Sequence, residues 1–178
     1  GTGEGQPLGI MASDCLVTVA PETGQAAATI VKENIHKMWA RFVASSWSNG
    51  IWLINQNCLP QLMSMAVGTD GGVYQPPGSW SQSPYGTLYT RPVIPVEQCQ
   101  TLGTTGDIIL ADLNQYLLIT KGGLDSASSI HVRFIYDETV FRFVMRVNGQ
   151  PLWTSPLIPF NGDVDSSVSP FVALATSA

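Results

Sequence analysis

Between residues 85 and 153 the chain is cut by turn residues into a series of short apolar runs, and this constrains its fold more than any other stretch. The series opens with Leu88-Tyr-Thr-Arg-Pro-Val-Ile-Pro-Val-Glu-Gln-Cys99 and continues as Gly106-Asp-Ile-Ile-Leu-Ala-Asp-Leu-Asn-Gln-Tyr-Leu-Leu-Ile-Thr120. It closes as Val140-Phe-Arg-Phe-Val-Met-Arg-Val-Asn-Gly-Gln-Pro-Leu-Trp153. In the last run Phe141, Phe143, Met145 and Val147 fall on one face and Val140, Arg142, Val144 and Arg146 on the other, because side chains alternate along a strand. Asn148-Gly149 is the dipeptide favoured where a tight hairpin needs two positive-φ positions, so a hairpin turn is expected there and a Gly149 substitution is expected to destabilise it. Ile130, Val132 and Phe134 alternate with His131 and Arg133, the pattern of a half-buried strand. Residues 108–110 and 116–120 read as two strands around a turn at 112–115. Prolines 92 and 95 make residues 91–96 extended and place them at a sheet edge or between elements.

Upstream the periodicity changes. Ala27, Ile30, Val31, Ile35, Met38, Trp39, Phe42 and Val43 return at three- and four-residue steps, which predicts a helix over 24–47 with Thr23 as its cap and Asn49-Gly50 as its stop. Glu33 and Lys37 have the spacing of a surface pair on it. The apolar run 51–54 reads as a buried strand, and 55–66 as a second helix capped by Asn57, with Pro60 in its first turn. Residues 16–19 favour an extended backbone. Residues 68–86 form a long loop, either a functional excursion or a disordered one, with Tyr74, Trp80 and Tyr85 as its packing material. Helices and strands together make the expected fold class α+β.

At 178 residues the chain is long enough for one domain with an ordinary core. Charged residues make up only 12%, against roughly 25% in typical soluble domains. A surface so poor in charge is either meant to be covered by neighbours or scattered with single apolar residues. The net charge of −5 and sequence pI near 4.7 argue against gripping nucleic acid through basic patches. No apolar run reaches the roughly 18 residues of a membrane span, and no signal peptide is evident.

Little here reads as reaction chemistry. Cys15, Cys58 and Cys99 are far apart and read as buried free thiols, without the close pairs of a zinc site. His36 and His131 lie on the polar sides of a helix and a strand, and no Gly-x-Ser-x-Gly elbow is present. A Cys-His hydrolase using His131 remains a minor alternative, since sequence does not show proximity. The glycines of 1–5 lack the Lys-Ser/Thr ending of a phosphate cradle. Asp107, Asp112, Asp137 and Glu138 sit at turns, where acidic side chains bond local amides. No catalytic residue, cofactor or metal is expected.

The order and spacing of the strand series resemble the C-terminal part of the major capsid proteins of tailed bacteriophages, the phage Hong Kong 97-type family. Gly1-Thr-Gly-Glu-Gly-Gln-Pro-Leu-Gly-Ile10 fits the Gly-x-Gly-x-x-x-Pro-x-Gly-Ile stretch common in that family. The resemblance implies an axial domain over 1–136, with the long hairpin and closing strand of a peripheral domain over 137–178. It also implies an N-terminal arm, an extended loop and a spine helix, none of which precedes Gly1, so the chain is expected to be a trimmed or processed portion. On this reading the function is to build an icosahedral shell in a bacterial host's cytoplasm, with copies of itself, portal, and scaffold or protease components as partners, and DNA enclosed but only loosely contacted. Tyr74, Trp80, Tyr85, Arg142 and Arg146 are the candidate contacts between subunits. No cross-linking residue is carried over, because the family's lysine lies in the extended loop. Two alternatives stay open: an encapsulin-type shell, which shares the fold, and an aromatic-rich β module that stacks sugars on Trp80, Tyr74 and Trp153.

Overall fold

The computed structural model describes residues 1–65, 73–77, 84–162 and 164–177. Among them, seven strands form one mixed sheet. These are β1 (Val17–Val19), β2 (Ile51–Ile54), β3 (Tyr74–Gln75), β4 (Thr87–Leu88), β5 (Arg91–Pro95), β6 (Ile108–Ala111) and β11 (Phe171–Leu174), in the spatial order β1-β11-β6-β2-β5-β4-β3. β11 runs parallel to β1 and antiparallel to β6, and β2 antiparallel to β6 and parallel to β5. The central strands β6 and β11 are buried along their whole length, as continuous apolar runs require when both sheet faces are covered.

One face packs under helix α1 (Lys32–Arg41). Ile35, Met38 and Phe42 from the helix region meet Val17, Val19, Trp52, Ile54, Ile108, Leu110, Val172 and Leu174 in one apolar cluster. The buried indole of Trp52 satisfies its N–H by donating to the Leu88 carbonyl at 3.2 Å. A second cluster covers the other face, where Ile109, Ala111, Phe171 and Ala173 pack with Cys15 and Cys99 and with the partly buried Ile10, Leu16, Val96, Tyr116 and Trp153.

Several local expectations are corrected. The first helix is ten residues long, not a span over 24–47. Ala28 takes a left-handed backbone (φ 52°) and its amide donates to the Ser177 carbonyl, so tertiary contacts claim this segment before a helix can form. Val31 stands at the N-cap without a side-chain bond, so Thr23 is not the cap. At the other end Phe42 turns extended and the amide of Val43 bonds Ser169 O. Lys37 pairs with Glu22 at 2.7 Å instead of Glu33. The second helix is a 3-10 turn (Gln56–Cys58) followed by α2 (Leu59–Ser64); its cap is Asn55, whose side chain accepts from the Asn57 amide at 3.0 Å, and Pro60 sits in the first turn as expected. β5 lies inside the sheet, not at its edge. Pro95 is its last residue, beyond the reach of the two-residue β4, while Pro92 pairs with Thr87 of β4.

After Asp112, whose carboxylate accepts from the Asn114 amide, the chain leaves the body. β7 (Tyr116–Thr120) pairs antiparallel with β10 (Val147–Pro151), and β8 (Asp125–Arg133) with β9 (Glu138–Val144). Residues 116–151 thus make two successive two-stranded pairs, here called the ribbon. Asn148-Gly149 is not a turn, because both residues are inside β10, opposite Ile119 and Leu118. The tip turn is Phe134–Tyr136 followed by Asp137 in the left-handed region (φ 55°), which a short acidic side chain tolerates. Strands β6 and β7 do not pair with one another. The expected domain boundary after 136 falls in this tip turn, and β11 belongs to the large sheet instead of joining the ribbon.

Candidate functional site

The ribbon is tied down only at its base. Tyr116 Oη donates to Leu8 O and the Leu8 amide to Gly149 O, each at 2.8 Å. Trp153 Nε1 donates to Gln115 Oε1 at 3.1 Å, and the Leu152 amide to Gln115 O at 2.9 Å. Gly149 is needed here for close approach: a Cβ at that position would stand 2.7 Å from Tyr116 Cε1 and 3.0 Å from Leu117 O.

Beyond that base no described residue covers the ribbon. Across the β8–β9 pair, Phe141 faces Ser128 and Phe143 faces Ser126, so two large rings stand above small hydroxyls. They are 67% and 65% exposed. The opposite face sets Arg142 across from Ala127, Val140 across from Ser129 and Val144 across from Asp125. At the tip, past a register shift between Ser129 and Arg133, Ile130, Val132, Phe134, Ile135 and Tyr136 are all exposed. The expected half-buried alternation therefore exists in sequence, but neither face is buried by the described residues. An isolated two-stranded hairpin is at best marginally stable in water, and a continuous apolar surface of this kind marks an interaction site. What the geometry defines is a surface waiting for another surface.

The sequence-predicted contacts do not converge on it. Tyr74 is 2% exposed, packed in the main core with its hydroxyl against Gly86. Burial pushes its phenol pKa up. It is neither a contact between chains nor part of a sugar-stacking platform. Trp80 lies outside the described residues. Tyr85 is exposed at the body's surface. Arg142 and Arg146 are exposed on the ribbon, Arg146 beside a cleft that it shares with Lys121 and Asp125. The residues that sequence reasoning missed are those of the tip, 134–136. Their signal was an apolar run leading into Asp137, read instead as the end of a half-buried strand.

The remaining chemistry is that of a core. Cys58 is pushed up to about 12 and Cys99 to about 11, in both cases first by burial and then by the neighbouring Asp107, the reverse of what activates a thiol. All three cysteines are buried in the body, whereas His131 lies on the ribbon, so the Cys-His arrangement is absent. Asp107 is buried, and desolvation raises its carboxyl pKa although the Gly103 and Ile108 amides donate to it at 3.0 and 2.7 Å. Among the described residues no cluster of three or more His, Cys, Asp or Glu could hold a metal, and no helix is long and apolar enough to cross a membrane.

A model of the phage capsid family matches residues 1–162, and the chain belongs to that family. Among solved structures, the capsid of the empty GTA particle computed with C5 symmetry superposes with a TM-score of 0.64 at 16% identity, over 97% of this chain and 57% of that one. The capsid of the native GTA particle computed with C5 symmetry gives 0.64 at 17% identity, over 97% and 56%. The chain thus spans a little over half the length of these relatives, with which it shares a mixed α/β capsid fold. No curated protein sequence matches it significantly.

Proposed function

We propose that the chain is the major structural subunit of a tailed-phage or prophage shell, of the Hong Kong 97-type fold, and that it works by tiling with copies of itself to enclose DNA. The observation that carries this is the bare β8–β9 ribbon: a two-stranded element with apolar residues on both faces, uncovered by the described residues, needs a further surface to pack on. Burying each large apolar side chain is worth about 1.5–3 kcal/mol, so a few such contacts outweigh any exposed ion pair. Repeated around several neighbours, these contacts close a shell, because each bond formed raises the effective concentration for the next.

Family membership and the shared fold of the GTA capsids support the reading, and the C5 symmetry of those particles is the kind of ring that such contacts build. Within the subunit, the seven-stranded sheet with α1 and α2 is the axial domain and the ribbon is the core of the peripheral one. Portal, scaffold and maturation components are the partners that such a subunit takes, with assembly in the bacterial cytoplasm and the virion as its final place. The test is to produce the full-length protein and examine it by sedimentation and negative-stain electron microscopy. Closed particles or rings of five or six are expected, whereas a tight closed dimer and nothing larger would contradict the proposal.

A further inference from the structure

Aromatic side chains from three separate segments of the body meet beside the turn between β4 and β5. Trp39 of α1 stacks on Tyr89, with ring centroids 5.0 Å apart and planes 17° from parallel, and lies 5.5 Å from Trp47. His36, one turn earlier on α1, meets the Tyr89 ring edge-on at 6.0 Å. Trp39 and Tyr89 are partly buried against the main core, whereas Trp47 is 46% exposed. Trp47 Nε1 donates to the Phe42 carbonyl at 3.1 Å, so what this side chain offers to solvent is its apolar ring. Arg91 links the segments that carry the outer two rings: its guanidinium donates to Ser48 O, next to Trp47, and to Thr90 Oγ1 at 3.4 Å, next to Tyr89. Among the described residues no carboxylate pairs with Arg91.

The turn that presents Tyr89 is strained. Leu88 pairs with Arg91, which leaves Tyr89 and Thr90 as the two turn residues, and both are left-handed, at φ 48° and 63°. Asn-Gly closes such a turn freely, whereas a bulky ring and a β-branched side chain are outliers there. Strain of this kind persists only where its surroundings hold it, and it gathers at binding sites. An Asn-Gly turn would relieve it and lose the ring. The charge around the rings narrows the ligand. Arg91 repels a cation, and the net charge of −5 disfavours a polyanion such as nucleic acid. An apolar protein surface would bury the Arg91 charge without compensation. A neutral sugar meets none of these objections, because its C–H faces lie on aromatic rings while its hydroxyls accept from the guanidinium, which has more N–H donors than the two bonds above use. We propose that Trp47, Tyr89 and Arg91 form a binding site for a neutral polysaccharide whose pyranose rings carry equatorial hydroxyls, with its flat C–H faces on the two rings and its hydroxyls held by Arg91. This function lies beyond shell building and does not depend on it.

The test is a saturation-transfer NMR titration of cellohexaose, a chain of pyranose rings with equatorial hydroxyls, against the full-length protein, with oligothymidine as the competing probe. Saturable binding of cellohexaose is expected, with transfer strongest to its C–H protons. W47A and Y89N/T90G should each weaken it about tenfold or more, R91Q should weaken it by less, and W47F should keep it within about threefold of wild type. Y89N/T90G separates binding from folding: Asn-Gly suits the left-handed turn, so this variant is expected to melt no more than a few degrees from wild type while losing the sugar. Near-ultraviolet circular dichroism checks that each variant keeps its core. The proposal is overturned by absence of saturable binding up to about 10 mM cellohexaose, by tighter binding of oligothymidine, or by wild-type affinity in folded W47A or Y89N/T90G.

Discussion

Phe171 and Phe143 are the same residue in strands of the same chain, yet the first is completely buried in β11 and the second is 65% exposed in β9. The body that holds Phe171 has helices or loops on both faces of its sheet; among the described residues the ribbon that holds Phe143 has neither. The difference teaches that an apolar strand pattern specifies that a face is to be buried without specifying by which molecule. In the body the answer is the same chain. In the ribbon no described residue of this chain supplies it, and on the function proposed above another copy does.

The largest test of that contrast is truncation of matched aromatics. Phe171→Ala or Trp52→Ala in the body should cost about 3–5 kcal/mol in chemical denaturation, from lost transfer energy and the cavity left behind. Phe143→Ala should stay within about 0.5 kcal/mol in the unassembled chain, as exposed substitutions do. A body-sized cost at Phe143 would mean that the ribbon is packed on its own chain and would break the comparison.

Next in size is the joint between the two regions. Gly149→Ala should destabilise by about 1–3 kcal/mol, because the added methyl meets the Tyr116 ring and overpacking at a close approach has that scale. Gly149→Asn should be at least as costly. Were the residue in a positive-φ hairpin turn, Asn would be tolerated, so the pair of variants separates steric contact from turn chemistry.

A smaller effect belongs to the body alone. Burial raises the Asp107 carboxyl pKa, so the folded chain holds a proton at a pH where the unfolded chain has released it. The protonated form stabilises the fold, and stability is lost as pH rises from the ordinary carboxylate range through the raised value. Thermal melts of wild type and Asp107→Asn across that window should show a shallower slope in the variant; parallel slopes would assign the proton elsewhere. Smallest of all, Arg133→Ala should change stability by less than about 1 kcal/mol, since its pair with Glu138 is exposed on both sides.

How far the sequence could be read follows the same division. β2 and β6 were readable because their apolar runs are the core, and α2 because Pro60 marks a first turn, whereas β11 was expected only from the resemblance and in the other domain. The periodic stretch before α1 was not readable, since Ala27, Ile30 and Val31 carry helix-like spacing but the backbone between them turns left-handed at Ala28, whose amide bonds Ser177 O, and Val31 is extended. Asn148-Gly149 has strong local turn chemistry, overridden by its register with β7. Arg142 is exposed on β9 as the alternation placed it, whereas Arg146, also exposed, falls between β9 and β10 and not on a strand. Tyr74 was misplaced because a loop-like composition of glycine and proline hid a two-residue strand whose ring is in the core.

A cryo-electron microscopy map of the assembled particle would test the central claim most directly. The account predicts that Phe141, Phe143 and the tip residues 134–136 are covered by an adjacent subunit, with Phe171 no more buried than it already is. A map in which both faces of the β8–β9 ribbon remain open to solvent would contradict it.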